Sequence, residues 1–369
     1  MYINLILIPI IIVLGLVLTY HETERKRLIY IVVCSMLLLF VAAMRSPEYM
    51  TYRYGIDTLN YKGMFENACS MSWDDIWLSI FQRYWMNEGE WDAGFILLNK
   101  CIGMFTHEFH IYSLIADLIF FVPFGILLYR YSSRIEQSIF AFVFYIALIQ
   151  IFLFSGARQM FAIGFDFLAL LAVLEKSKFR SLLFLTISIA IHFSSIIFLF
   201  PIAMVWYDFK PGTLKLAHLI TFIVFPFILA FPNQVISYLG ETVGIEKYAE
   251  YGRGTIQGGA TTFIFLIEML SLFCLVTISS KDMKRNSDIK LFYTMAPLFT
   301  LFAPLIRSNG SMIRISLYFH IFLSLLVPFG IDCVANMHYR PGVYMIALST
   351  LAFLTLANGG MTYLFYWQM

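Results

Sequence analysis

Residues 28–44 read Leu28-Ile29-Tyr30-Ile31-Val32-Val33-Cys34-Ser35-Met36-Leu37-Leu38-Leu39-Phe40-Val41-Ala42-Ala43-Met44, without one charged side chain. A helix rises about 1.5 Å per residue, so such a run covers most of a hydrocarbon core roughly 30 Å thick. Runs of the same kind occupy Met1–Tyr20, Ile111–Tyr129, Ser138–Phe154, Met160–Leu174, Leu214–Phe231, Thr262–Ser279, Leu291–Ile306, Ile315–Met337 and Val343–Ala357. The 369 residues are 60% hydrophobic and only 13% charged, with mean hydropathy +0.78. A water-soluble domain of this size needs a far more charged surface. The pattern predicts an all-α polytopic membrane protein, one integral domain over residues 1–369 with about ten to eleven transmembrane helices. In a bilayer each Arg, Asp, Glu or His inside or beside an apolar run is expensive, and therefore informative.

Net charge is +2, too small to suggest a nucleic-acid partner. There is no P-loop and no GxGxxG in a strand–helix setting, so no nucleotide or other cofactor is expected. Five cysteines are scattered without a CxxC and read as small buried apolar residues, and no metal site is expected. Met1–Tyr20 lacks the basic start and small-residue cleavage site of a signal peptide, which predicts a retained first span.

Basic loops stay in the cytoplasm. Placing His21–Arg27, Tyr129–Arg134, Glu175–Arg180, Lys281–Lys290 and His338–Arg340 inside puts the N-terminus, Arg45–Trp91 and Pro232–Ala260 outside. Parity then requires Ser181–Trp206 to enter and leave on one side, as two half-length helices meeting at His192-Phe193-Ser194. A single long tilted helix with His192 as a core residue is the alternative. The same topology leaves Arg158, Gln159, Arg307 and Arg314 outside, against the positive-inside trend. They either snorkel to lipid headgroups or form an anion site facing the outer side. The aromatic tail Asn358–Met369 is expected at the outer interface.

The first outer loop carries Arg53-Tyr54-Gly55-Ile56-Asp57-Thr58-Leu59-Asn60-Tyr61. Gly55 permits a tight turn, and Asp57 is either the N-cap of a surface helix or a carboxylate aimed at a cavity. Trp73–Trp85, with Asp74, Asp75 and Arg83 on a Trp/Ile/Leu/Phe background, reads as an amphipathic helix on the membrane surface; adjacent acids point apart on a helix, so Asp74 and Asp75 read as a solvated face rather than a metal pair. Phe95–Phe105 is too short to span and reads as re-entrant or interfacial. In Pro232–Ala260, Tyr248 and Arg253 suit sugar stacking and hydrogen bonding. Outer loops 45–110 and 232–261 are expected to form the substrate cleft. Carboxylates and arginines gathered on one side suit a reaction with an anionic leaving group. An arginine holds phosphate oxygens bidentately, and a carboxylate takes a proton from an attacking hydroxyl.

These residues also resemble a known family. Gly55, Asp57, Tyr61 and Phe65 look like the G-x-D-x-x-x-Y-x-x-x-F segment of EpsG-like proteins, the bacterial exopolysaccharide and O-antigen polymerases often called Wzy. Asp92-Ala93-Gly94-Phe95 with Leu98-Asn99 resembles their E-x-G-F-x-x-L-N. Arg158-Gln159-Met160-Phe161-Ala162 resembles their R-Q-x-x-A, His192-Phe193-Ser194-Ser195 their H-x-S-A, and Arg314–Phe319, with Tyr318, a late R-x-x-x-Y-F. Order and rough spacing agree over about residues 45–320. Asp92 stands where Glu is usual, and Ser195 where Ala is usual.

The resemblance implies a GT-C-like membrane glycosyltransferase. It would polymerise undecaprenyl-diphosphate-linked repeat units of an O-antigen or exopolysaccharide on the outer face of the bacterial inner membrane. By that analogy Asp57 is the base, and His192, the second catalytic candidate, hydrogen-bonds a phosphate or sugar from the bend. Arg158, Arg307 and Arg314 are assigned to the diphosphate. Arg53, Tyr61, Asp92, Gln159, Ser194, Tyr248, Arg253 and Tyr318 complete the substrate contacts. Membrane lipid surrounds the protein, and a polysaccharide chain-length regulator is a further partner the reading leaves open. Two alternatives stay open. An O-antigen ligase would share leaving group and membrane side. A lipid-linked glycan flippase or other transporter would need charge within the spans, where His192 and Asp166 stand out.

Overall fold

The computed structural model describes residues 3–54, 57–86, 92–243, 250, 252–253, 261–334, 338–357 and 363–368. The described chain is helical and divides into two compact units, residues 1–202 with 346–369, and residues 203–345. Six described helices are long and apolar enough to cross a membrane, and a bent pair would make a seventh. Four shorter apolar helices of 10–17 residues accompany them. The protein is therefore a multi-pass membrane protein.

The first unit begins with α1 (Ile3–Thr19) and α2 (Glu24–Ala43). Thr23 caps α2 by accepting the Lys26 N–H, and Glu24 complements the positive end of its dipole. The stretch expected as a long outer loop is itself helical: α3 (Pro47–Tyr54), α4 (Thr58–Ser70), α5 (Trp73–Trp85) and α6 (Ala93–Gly103). Then come α7 (Phe109–Tyr131), α8 (Ile135–Ser155), α9 (Ala157–Leu174), α10 (Lys178–Ile191) and a 3-10 turn, Phe193–Phe198, leading into α11 (Leu199–Tyr207). α9 is the centre of this unit and packs on α7 and α10. A Cβ on Gly164 of α9 would lie 2.1 Å from the Ile119 carbonyl oxygen, so the close α7–α9 approach depends on glycine.

The chain breaks at His192 as the parity argument expects. Both pieces around it, 14 residues in α10 and 15 in Phe193–Tyr207, are too short to span. The aromatic tail returns to the stretch Val41–Ser46 at and just after the end of α2. Ser46 N–H donates to the Leu364 carbonyl at 2.9 Å, Tyr366 N–H to the Met44 carbonyl at 3.1 Å, and Tyr363 Oη to the Val41 carbonyl.

The second unit holds α12 (Pro211–Ala230), α13 (Pro232–Val243), α14 (Thr261–Thr277), a short α15 (Ser280–Arg285), α16 (Ser287–Arg307), α17 (Ile313–His320), α18 (Leu323–Val334) and the start of α19 (Arg340–Ala357). Ile315–Met337 reads in sequence as one run, but α17 and α18 meet at 53°. The bend is a tight turn. Phe322, Ser324 and Leu325 N–H donate to carbonyls three residues back, and the Ser324 hydroxyl takes the Ile321 carbonyl at 2.6 Å. Most of loop 232–261 beyond α13 lies outside the described residues.

Candidate functional site

Asp92 occupies the turn before α6, and three groups converge on its carboxylate. Arg158 Nη1 lies 2.6 Å from Oδ2. His192 Nδ1 stands 3.4 Å from the carboxylate oxygens. The Phe193 backbone N–H donates to Oδ1 at 3.4 Å. The residues are far apart in sequence and meet because of local features. Gly94 lets the start of α6 press on the end of α10, since a Cβ there would fall 2.5 Å from the Ala190 carbonyl carbon and oxygen. His192 is extended (φ −150°, ψ 109°), which ends α10. Arg158 sits in the first turn of α9, just after Gly156. The positive end of that helix dipole adds to its charge.

Burial pushes the Asp92 carboxyl up, but the hydrogen bond and charge of His192, the Arg158 charge and the Phe193 N–H outweigh it and hold the group below its ordinary value. Asp92 is thus an organising anion, ionised and fully engaged. Arg158 is not fully engaged, because its buried Nε has no hydrogen-bond partner. An unmet buried donor is costly, and this one marks a place for an acceptor. The guanidinium also lies 5.8 Å over the Phe95 ring, which fixes its plane. Phe95 in turn meets Tyr61 edge-on at 6.1 Å.

Asp57 stands at the N-cap position of α4, yet its side chain makes no capping bond. The adjoining Thr58 donates to the Phe154 carbonyl at 3.2 Å, and Tyr61 Oη to the Ser155 carbonyl at 3.5 Å. Those two bonds hold the start of α4 beside the α8–α9 break that precedes Arg158. Gln159 is buried, and Ser194 is half-buried in the 3-10 turn after His192. The Arg53 side chain and all of Tyr248 lie outside the described residues. Arg253, Arg307, Arg314 and Tyr318 belong to the second unit. Arg253 is exposed and paired with Glu241 at 3.2 Å, while exposed Arg307 donates to the Leu229 carbonyl at 2.9 Å. Arg314 is half-buried on α17, and Tyr318 is fully buried there.

Arg83, to which the sequence reading gave no role, is 7% exposed and its charge acts on Asp92. The signal was present, since Ile76 is fully buried and Arg83 follows it by two helical turns on the same face. The outward face carries Trp77, Leu78, Phe81 and Trp85, a membrane-surface pattern. Asp75 belongs to a capping box with Ser72. Among the described residues, Arg158 and Arg83 act on the one carboxylate of Asp92, a balance that favours an anion over a metal ion.

A family model describing the EpsG family matches residues 49–359. The chain belongs to the EpsG family. Asp92, Arg158 and His192 all fall within the matched residues, as do Asp57 and Arg314. No curated protein and no solved structure matches this EpsG-family chain. Membership makes it a polysaccharide-polymerase-type membrane protein, of the glycosyltransferase-like kind.

Proposed function

We propose that this EpsG-family protein joins undecaprenyl-diphosphate-linked oligosaccharide repeat units on the outer face of the bacterial inner membrane. The observation that carries the reading is Arg158: held by Asp92 through one nitrogen and packed on Phe95, it keeps a buried Nε donor unspent. A diphosphate oxygen is the acceptor this donor suits.

In the proposed reaction a sugar hydroxyl of the incoming unit attacks the anomeric carbon of the growing chain. The new carbon–oxygen bond forms as the bond to the diphosphate oxygen breaks, and undecaprenyl diphosphate leaves with that electron pair. Asp57 accepts the hydroxyl proton. Arg158, with Arg83 behind Asp92, stabilises the charge that grows on the leaving diphosphate. His192 holds Asp92 and lines the same turn. Tyr61, Gln159 and Ser194 of the same unit are assigned to the substrate's sugars.

Purified protein supplied with a lipid-linked repeat unit tests this. Wild type is expected to yield a ladder, and Asp57→Asn, inserted and folded as wild type, none. A normal ladder from Asp57→Asn would remove Asp57 as base, and no ladder from wild type would remove the polymerase reading.

A further inference from the structure

Where α2 begins and α7 ends, two cavities lie side by side, and the polymerase reading uses neither. One is an apolar groove of about 290 Å³ between the two helices, running from Leu28 and Tyr129 to Leu39 and Leu118, with Ser35 and Gly125 midway. The other is a polar pocket of about 450 Å³ lined by Glu22, Thr23, Glu24, Arg27, Ser133 and Arg134. Arg27 and Tyr129 join them. Arg27 Nη2 donates to the Tyr129 carbonyl at 3.3 Å, and its guanidinium lies 5.4 Å over the Tyr129 ring. Tyr129 Oη donates to Glu24 Oε1 at 2.8 Å.

From Leu28 to Leu39 a helix advances about 16 Å, half of a hydrocarbon core roughly 30 Å thick. The groove is therefore one leaflet deep, the depth an acyl chain fills. The pocket lies far from the Asp92 site. α8 runs 21 residues from Ile135, beside Arg134, to Ser155, just before Arg158. That length is about 30 Å, so one head group cannot serve both places. The pocket also differs in charge, since it sets two carboxylates beside two guanidiniums. Glu22 uses Oε1 on the Ile135 N–H at 2.8 Å, and Glu24 uses Oε1 on Tyr129. Arg27 has a buried Nε with no hydrogen-bond partner. The carboxylates repel a purely anionic head group and the guanidiniums a simple cation, whereas a head group carrying both signs satisfies both.

We propose that this paired site binds one phospholipid from the leaflet on the Arg134 side, of the phosphatidylethanolamine type, whose head group carries a phosphate and a primary ammonium. The phosphate takes Arg27 and Arg134. The ammonium donates to the second oxygens of Glu22 and Glu24. One acyl chain lies in the groove, between Ser35 and Gly125. A quaternary ammonium has no N–H to give the carboxylates, and a glycerol head group has no positive charge, so the site selects among bilayer lipids. A lipid seated there ties the start of α2 to the end of α7.

Native mass spectrometry of the full-length protein in detergent tests this, with phosphatidylethanolamine, phosphatidylcholine and phosphatidylglycerol of the same acyl chains titrated separately. We expect one tightly held phosphatidylethanolamine and about tenfold weaker binding of the other two, the worth of one charge-assisted hydrogen bond. Arg27→Gln and Glu24→Gln should each weaken phosphatidylethanolamine by a similar factor. Gly125→Leu places a side chain in the groove and should weaken all three lipids. A Cβ there stands 3.6 Å from Ser35 Oγ, an ordinary contact, so α2 and α7 keep their packing, as unchanged melting in lipid-free detergent checks. Equal binding of the three lipids, or a preference for phosphatidylglycerol, would overturn the proposal. So would phosphatidylethanolamine binding indifferent to both Glu24→Gln and Gly125→Leu, or its displacement by a polyprenyl phosphate, which would give the groove to an isoprenoid tail. Lipid binding is read without any glycan substrate, so the polymerase reading keeps its own test.

Discussion

Asp92 in the first unit and Glu268 in the second are both buried carboxyl groups, and their surroundings differ in kind. Asp92 lies at a helix break and is met by Arg158, His192 and a backbone N–H. Glu268 lies inside α14, one turn from Ser271, which pairs with His218 and Thr300. The first arrangement fixes a charge in place and leaves a cationic donor for a ligand. The second is a carboxyl whose oxygens complete no hydrogen bond, beside a cluster of hydroxyls and an imidazole. In the membrane, then, the neighbours of a carboxyl say more about its use than its burial does.

Removing the partner from Asp92 should have the largest effect. Arg158→Ala takes the direct ion pair from a buried carboxylate and leaves it only His192, the Phe193 N–H and the Arg83 charge, which costs up to about 3–5 kcal/mol, read as a lowered melting temperature in detergent. Asp92→Asn in the same chain should restore most of that stability. Unchanged melting in Arg158→Ala would break the contrast between the two carboxyls.

Gly94→Ala comes next. The added methyl meets the Ala190 backbone, and relieving that contact should cost about 1–3 kcal/mol while moving Asp92 away from His192. A smaller effect is expected in the second unit. Ser271→Ala removes one link, but Thr300 Oγ1 already stands 3.5 Å from His218 Nε2 and takes over part of the role. The loss should be about 1 kcal/mol, by the same melting measurement.

The smallest effect is the dependence on pH. The Asp92 carboxyl titrates below its ordinary value in the folded protein. Its contribution is therefore complete above the ordinary carboxylate range, near pH 4, and is lost as pH falls through the lowered folded value. Melting curves of wild type should show an acid-side decline that is reduced in Asp92→Asn. Equal declines in both would place the effect elsewhere.

Much of this was legible in the sequence, and the reasons for the rest are physical. The helical, multi-pass character was legible because hydrocarbon demands long apolar runs, while the expected ten to eleven spans compare with six or seven helices of spanning length among the described residues. The His192 break followed from counting basic loops. The meeting of Asp92, Arg158 and His192 was not legible, because it depends on α6 touching α10 at Gly94, a contact between distant parts of the chain. Arg83 was given no role because the charge it acts on, Asp92, belongs to the turn before the next helix. Glu268 and His218 escaped notice because each is a single polar residue within a strongly apolar run. The tail that returns to Ser46 is likewise a long-range pairing that no local pattern announces.

The central claim is that Arg158 serves the leaving group of a polymerase. The direct measurement is the polysaccharide ladder, on a gel, from a strain lacking the gene and complemented with wild type or Arg158→Ala at matched membrane abundance. The account predicts that wild type restores the full ladder and Arg158→Ala leaves only the single-repeat product. A full ladder from Arg158→Ala would contradict it.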